Sequence, residues 1–283
     1  MEQKIIKDKY GAVWVSHSSI GDFLKCPRAY YLHNMYKSKD NRKIGLVSPP
    51  LSLGSAVHET LEGLAKYKAE DRFKKSLLEA FEENWKKVSG KIGGFKTAEE
   101  EAEAKERAKQ MIGRVVKNPG PLLNKTLKLK DEKSEMLPNF FLSEEDNIIL
   151  CGKIDWLEYI EADDSVRAID FKTGKNEERQ DSFQLPIYVL LLNALQKRKV
   201  SGAAYWYLDR ADAPSSVALP EVESAREKVL SIAKKIKATR EIGRFECLRG
   251  VQGCFSCQPY EKILKGEAEF VGIGGYNHDL YLV

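Results

Sequence analysis

No apolar run in the sequence approaches 18 residues, so it contains no candidate membrane-spanning helix. The opening Met1-Glu2-Gln3-Lys4 leads into no signal-peptide core, and a cytoplasmic protein with no membrane partner is expected. Internal repeats and low-complexity linkers are also missing, which excludes a repeat architecture. Charge of one sign is scarce: 46 Lys and Arg against 42 Asp and Glu give a net +4. That balance is compatible with a nucleic-acid partner but too small to indicate one. Cysteines number five, and without an export signal they read as thiols or metal ligands rather than disulfides. What remains is ordinary for a soluble globular chain: 283 residues, 42% hydrophobic and 31% charged, enough for one large domain or two small ones.

The pattern centres on two stretches that read as strands. One runs from about Asn147 to Ile160 and holds Gly152-Lys153-Ile154-Asp155; the other runs from about Ser165 to Phe171 and leads into Lys172-Thr173-Gly174. Asp163-Asp164-Ser165 between them is turn chemistry and predicts an antiparallel hairpin that brings Asp155 near Asp170. Residues two apart share a strand face, so Lys172 points the same way as Asp170, and two carboxylates and an ammonium converge at a sheet edge. Paired carboxylates repel unless a cation lies between them, and oxygen donors suit Mg²⁺ or Mn²⁺. The alternative is a pair of solvent-facing aspartates balanced by Lys153 and Lys172, although Asp is disfavoured in strands.

Before this hairpin, Lys4 to Val15 reads as a strand. Ser16 or Ser18 then caps a helix that Pro27 interrupts just after Cys26. Cys26 reads either as a small buried hydrophobe or as a sulfur presented at the kink. A loop at Ser48-Pro49-Pro50 precedes a helix from Leu53, on which His58 and Glu62 share one flank. His58 is a structural histidine or, in company with the two aspartates, a ligand. Charged amphipathic helices at about 70–88 and 97–117 form a helical insertion spanning about 65–125. Strand spacing returns at Leu127 to Lys130 and Lys133 to Leu142. After Lys175, Asp181 or Ser182 caps a helix with Gln184 and Tyr188 on one side, and a parallel crossover leads to a strand at Gly202 to Leu208. A helix at about 220–240 carries Lys234, Lys235, Lys237 and Arg240, as a phosphate-facing side or simply a solvated one. In the tail, Cys247 and the Cys254-Phe255-Ser256-Cys257 knuckle join Cys26 to make four thiols, enough for a tetrahedral metal site or an iron–sulfur cluster. Cys151 reads as a core residue.

Five segments occur in a telling order: Leu24 to Leu32 with its Cys26-Pro27-Arg28, Gly54 to His58, Gly152 to Asp155, Asp170 to Gly174, and Gln184 to Tyr188. From about residue 16 to 260 the chain resembles the RecB-like and Cas4-like branch of the PD-(D/E)XK nuclease superfamily. The resemblance implies an α/β, restriction-endonuclease-like fold, with a mixed central sheet flanked by helices, forming a single domain over 1–283. It implies that His58, Asp155, Asp170 and the Phe171 carbonyl ligate Mg²⁺ or Mn²⁺, that Lys172 is the catalytic lysine, and that Gln184 and Tyr188 orient it and contact DNA. Cys26, Cys247, Cys254 and Cys257 match the count of a [4Fe-4S] site, within a cysteine-bearing segment at about 241–283. The tail departs from the pattern, because the third tail cysteine is expected after the knuckle, where Tyr260 to Leu264 carry no thiol. The implied activity is metal-dependent hydrolysis of DNA, as an exonuclease in end-processing or recombination repair, on single strands or free ends, beside a helicase. The competing readings are a Cas4-like nuclease of CRISPR spacer acquisition, with an integration partner, and a DNA-binding assembly subunit that does no chemistry. The intact set His58, Asp155, Asp170 and Lys172 argues against the last.

Overall fold

A computed structural model describes residues 11–129 and 136–283. Lys4 to Ile6 of the expected first strand, and Lys130 and Lys133 of the next expected strands, lie outside the described residues. Strand β1 (Val13–Val15) feeds helix α1 (His17–Lys25), whose N-cap Ser16 accepts the Ser19 amide. The helix ends at Cys26 because Pro27, which opens α2 (Pro27–Tyr30), has no amide hydrogen with which to continue the ladder. A π-helical turn (Tyr31–Met35) and β2 (Lys43–Leu46) follow. Helix α3 (Pro49–Gly63) starts earlier than its expected onset at Leu53, since prolines in a first turn forfeit only amides that have no helical partner anyway. Helix α4 (Leu77–Lys86) is shorter than the expected 70–88, and α5 (Ala98–Lys117) keeps its expected span.

The long strand expected from Asn147 to Ile160 is in fact two. After β3 (Asn139–Ser143), β4 (Ile148–Cys151) and β5 (Trp156–Ile160) are separated at Gly152 to Asp155 and belong to different sheets. Helix α6 (Gln184–Leu195) forces the break: a Cβ on Gly152 would lie 2.9 Å from Leu191 Cδ1, so the backbone passes directly beneath the helix. Strand β6 (Ser165–Lys172) pairs antiparallel with β5 as expected, opposing Trp156 to Ile169, with Asp164 in the left-handed region at the turn. The crossover through α6 to β7 (Lys199–Tyr207) gives parallel pairing with β6. Phe183, rather than Asp181 or Ser182, is the N-cap of α6, although Ser182 Oγ does accept the Gln184 amide. The chain closes with β8 (Ser215–Val217), α7 (Val222–Ile242), α8 (Gln258–Leu264), β9 (Glu269–Gly274) and β10 (His278–Leu282).

These strands form sheets ordered β1-β4-β3, β5-β6-β7-β8 and β2-β10-β9, with parallel and antiparallel pairs mixed. The expected restriction-endonuclease-like α/β architecture is therefore present. Strand alternation sorts the core around β6. Ile169 and Phe171, with Trp156 and Trp206, pack against Leu61 of α3, Phe81 and Trp85 of α4 and Met111 and Ile112 of α5. Val166 and Ala168 face the other way, onto Tyr188 and Leu192 of α6. The insertion helices thus share the core of this sheet. Helix α6 is buried from Gln184 to Leu192 apart from Leu185, because its opposite side packs against Leu142, Leu150 and Val229 of β3, β4 and α7. Cys151, expected in the core, is only half-buried at the end of β4, where its thiol faces the Val15 carbonyl and burial pushes its pKa up to about 11. No helix among the described residues is long and apolar enough to cross a membrane.

Candidate active site

The same alternation that buries Ile169 and Phe171 turns Asp170 and Lys172 toward α6. This occurs at the C-terminal end of an interior strand, where β5 has run out, and not at a sheet edge as expected. Asp155, just before β5, replaces the missing strand neighbour: its Oδ2 accepts the Phe171 amide at 2.9 Å. Helix α3 comes close to the same strand end, where a Cβ on Gly54 would stand 3.2 Å from Thr173 Oγ1, and this places His58 over the Phe171 ring. His58 Nδ1 lies 3.3 Å from Asp155 Oδ2 and 3.7 Å from Glu62 Oε1.

Gln184 and Tyr188, one helical turn apart on α6, converge on Asp170. Tyr188 donates its hydroxyl hydrogen to Asp170 Oδ1 at 2.6 Å, and the Gln184 side-chain amide donates to the same oxygen. The Gln184 carbonyl accepts from Lys172 at 2.5 Å, so one amide bridges the aspartate and the lysine. Lys172 also lies 2.9 Å from Asp170 Oδ2 and donates to Glu178 at 2.6 Å. All seven residues assigned from sequence, His58, Asp155, Asp170, Phe171, Lys172, Gln184 and Tyr188, line one cleft of about 490 Å³ that also receives Ser16, His17 and Ser18 from the start of α1.

The electrostatics are those of crowded anions. Burial, and then the Asp155 charge, raise the Asp170 pKa to about 6 against the pull of Lys172. Burial alone would depress His58, but its contacts with Asp155 and Glu62 outweigh that and push it up to about 10. Lys172 is likewise opposed by burial, yet Asp170 and Glu178 hold it above its ordinary value. Without a metal, an imidazolium and an ammonium balance this cluster.

Two observations test whether a divalent ion fits. Donor atoms of His58, Glu62 and Asp155 all lie within 4.8 Å of one another, two hard carboxylates suited to Mg²⁺ or Mn²⁺ with one borderline imidazole nitrogen that Mn²⁺ accepts more readily. Asp170 Oδ2 is buried and accepts no hydrogen bond of good geometry, leaving a lone pair available beside Lys172. The residues fit such an ion, with Glu62 grouped where the sequence reading had placed Asp170.

Sequence reasoning noted Glu62 at i+4 from His58 without assigning it to the site. It missed Glu178, which lies in the irregular loop between β6 and α6, where no periodicity gives a signal. It also missed Arg107 on α5, which donates to the Thr173 carbonyl at 2.9 Å and to Asp209, fixing the end of β6 from the insertion. The four remaining sequence-assigned residues form a second group: the sulfurs of Cys26, Cys247, Cys254 and Cys257 lie within 4.8 Å of one another, joining the α1–α2 kink to the tail.

Comparison with curated proteins gives no match. A family model, that of the PD-(D/E)XK nuclease superfamily, matches residues 14–262, a span that contains both clusters. Members of that superfamily cut phosphodiester bonds, typically with divalent metals, in keeping with the carboxylates and lysine gathered at the end of β6. With the match covering most of its length, the chain belongs to the PD-(D/E)XK nuclease superfamily.

Proposed function

We propose that the protein is a Mg²⁺- or Mn²⁺-dependent DNA nuclease that works as an exonuclease on DNA ends in repair or end-processing. The observation that carries this reading is the cleft in which Asp155, Asp170 and Lys172 meet His58, with Glu62 beside that histidine. In it, His58, Glu62 and Asp155 would hold the metal, joined by Asp170 Oδ2, which lies beside Lys172. A bound divalent ion supplies Lewis acidity at the phosphate and lowers the pKa of a water molecule. Lys172 neutralises charge that grows on the phosphate oxygens as the water attacks. Gln184 and Tyr188 position Asp170 and Lys172, and Glu178 shares the ammonium until substrate enters.

A larger groove of about 900 Å³ is lined by Glu178, which bonds Lys172 of the cleft, and supports a single-stranded substrate. Tyr205 and Tyr207 lie along it with Lys228 and Arg210, and Arg210 stacks over Tyr207 at 4.3 Å. Aromatic faces among cations are what an unpaired strand recognises. The order of the Cys-Pro-Arg, Asp-Phe-Lys and Gln-x-x-x-Tyr segments supports the RecB-like branch over other branches of the superfamily.

The test is degradation of end-labelled DNA with Mn²⁺ and with EDTA. Asp170→Ala and Lys172→Ala should each abolish cutting while the chain stays folded. Wild-type rates in both purified variants would remove the assignment, and uncut linear DNA with cut circles would remove its exonuclease part.

A further inference from the structure

We infer that the four cysteines hold one zinc ion in a mononuclear tetrahedral site, and not an iron–sulfur cluster. The spacing of the sulfurs carries the inference. A tetrahedral zinc–thiolate centre, with bonds of about 2.3 Å, sets its sulfurs about 3.8 Å apart. Cys254 Sγ and Cys257 Sγ are 3.8 Å apart, and all four sulfurs lie within 4.8 Å of one another. A four-iron cubane interposes an iron–sulfide cage between its thiolates and holds them roughly 6 Å apart. The space between these cysteines takes one ion and excludes such a cage.

The surrounding backbone is built to the same scale. Gly253 has a positive φ of 72°, which favours glycine, and a Cβ there would press on Cys257 Sγ from 3.1 Å. The Cys254 amide donates to Cys257 Sγ at 3.1 Å, and the Arg249 amide points at Cys247 Sγ from 3.5 Å. Such N–H···S contacts favour thiolates and orient metal ligands. Arg28, two residues after Cys26, bonds Glu261 on α8 at 2.6 Å and ties the two cysteine-bearing segments together beside the centre. The site has a structural role. Helix α1 ends at Cys26, while Ser16, His17 and Ser18 at its other end line the catalytic cleft. The ion therefore anchors the far end of the helix that forms one wall of that cleft.

Protein purified anaerobically from iron-supplemented cells should carry one zinc per chain and no acid-labile sulfide. X-ray absorption should report four sulfur neighbours at about 2.3 Å. Cobalt exchanged into the site should give the intense visible bands of a tetrahedral tetrathiolate. Cys254→Ser should lose the zinc, whereas Asp155→Ala, in the other cluster, should keep it. Should Cys254→Ser fail to fold, the absorption and cobalt measurements on the intact chain decide alone. Four irons with sulfide, a single iron, or a metal-free preparation that takes up no zinc would each overturn the inference. None of these readouts uses DNA cleavage, so the zinc assignment stands or falls apart from the nuclease reading.

Discussion

Replacing Lys172 with methionine separates the electrostatics of the cleft from its chemistry. Methionine keeps most of the side-chain volume but removes the ammonium that lies 2.9 Å from Asp170 and 2.6 Å from Glu178. The Asp170 side chain is only 4% exposed, so its carboxylate would be left buried without its cation. Removing one partner of a buried pair costs about 3–5 kcal/mol, and contact of Glu178 with solvent places this case near the lower end, about 3 kcal/mol at pH 8. The sign of the pH dependence follows from Asp170. Its native pKa is already raised to about 6, above that of the unfolded chain, and loss of Lys172 raises it further. A group that binds its proton more tightly when folded gives up stability as pH rises through its native pKa and recovers it as pH falls. Glu178, held below its ordinary value despite burial by Lys172, moves in the same direction once the ammonium is gone. The gap between wild type and Lys172→Met should therefore shrink from about 3 kcal/mol at pH 8 to about 1 kcal/mol at pH 5.5. Urea unfolding followed by tryptophan fluorescence, in EDTA, measures it. A gap of equal size at both pH values would refute the charge-balance argument, whatever the variant does to DNA.

Other outcomes follow from the same geometry. Mn²⁺ binding should expel the His58 proton, whose pKa is near 10 in the metal-free cleft, so affinity should fall about tenfold per pH unit on acidification. Calorimetry in buffers of different ionisation enthalpy would contradict this by showing no proton release. His58→Ala should raise the Mn²⁺ concentration needed for half-maximal cleavage by about 10-fold or more, with DNA binding in EDTA unchanged; an unmoved metal titration removes His58 from the site. Tyr188→Phe takes away a hydrogen bond to a charged group and should cost about 1.5–3 kcal/mol at pH 8, less in acid, and an effect that does not vary with pH counts against the contact. Phe81→Ala, deep in the core shared by the insertion and the sheet, should cost about 3–5 kcal/mol in one cooperative transition. Separate unfolding of the insertion would show that it is an independent unit.

The legible parts of the molecule were those set by local rules. The hairpin at Asp164, the shared face of Asp170 and Lys172, and the Gln184–Tyr188 turn depend on residue spacing, and each survives in the fold. The break at Gly152 was invisible because its cause, Leu191, is remote in sequence, and a glycine amid Ile and Leu reads as one more strand residue. Glu178 and Arg107 escaped for a related reason: one lies in irregular chain, and the other looks like any solvated helix charge until Thr173 and Asp209 arrive beside it. The four thiols could be counted in the sequence, but their separation, which decides what they hold, exists only in three dimensions.

Helix α6 has a consequence for when the site can exist at all. It is apolar on nearly every side and wedged between two sheets, so it has no stable resting place until both have formed. Until then the amide of Gln184 cannot bridge Asp170 and Lys172, and the cutting machinery exists only as scattered parts. A chain in which either sheet is unformed therefore lacks this bridge, and the site is complete only where α6 is seated between the two.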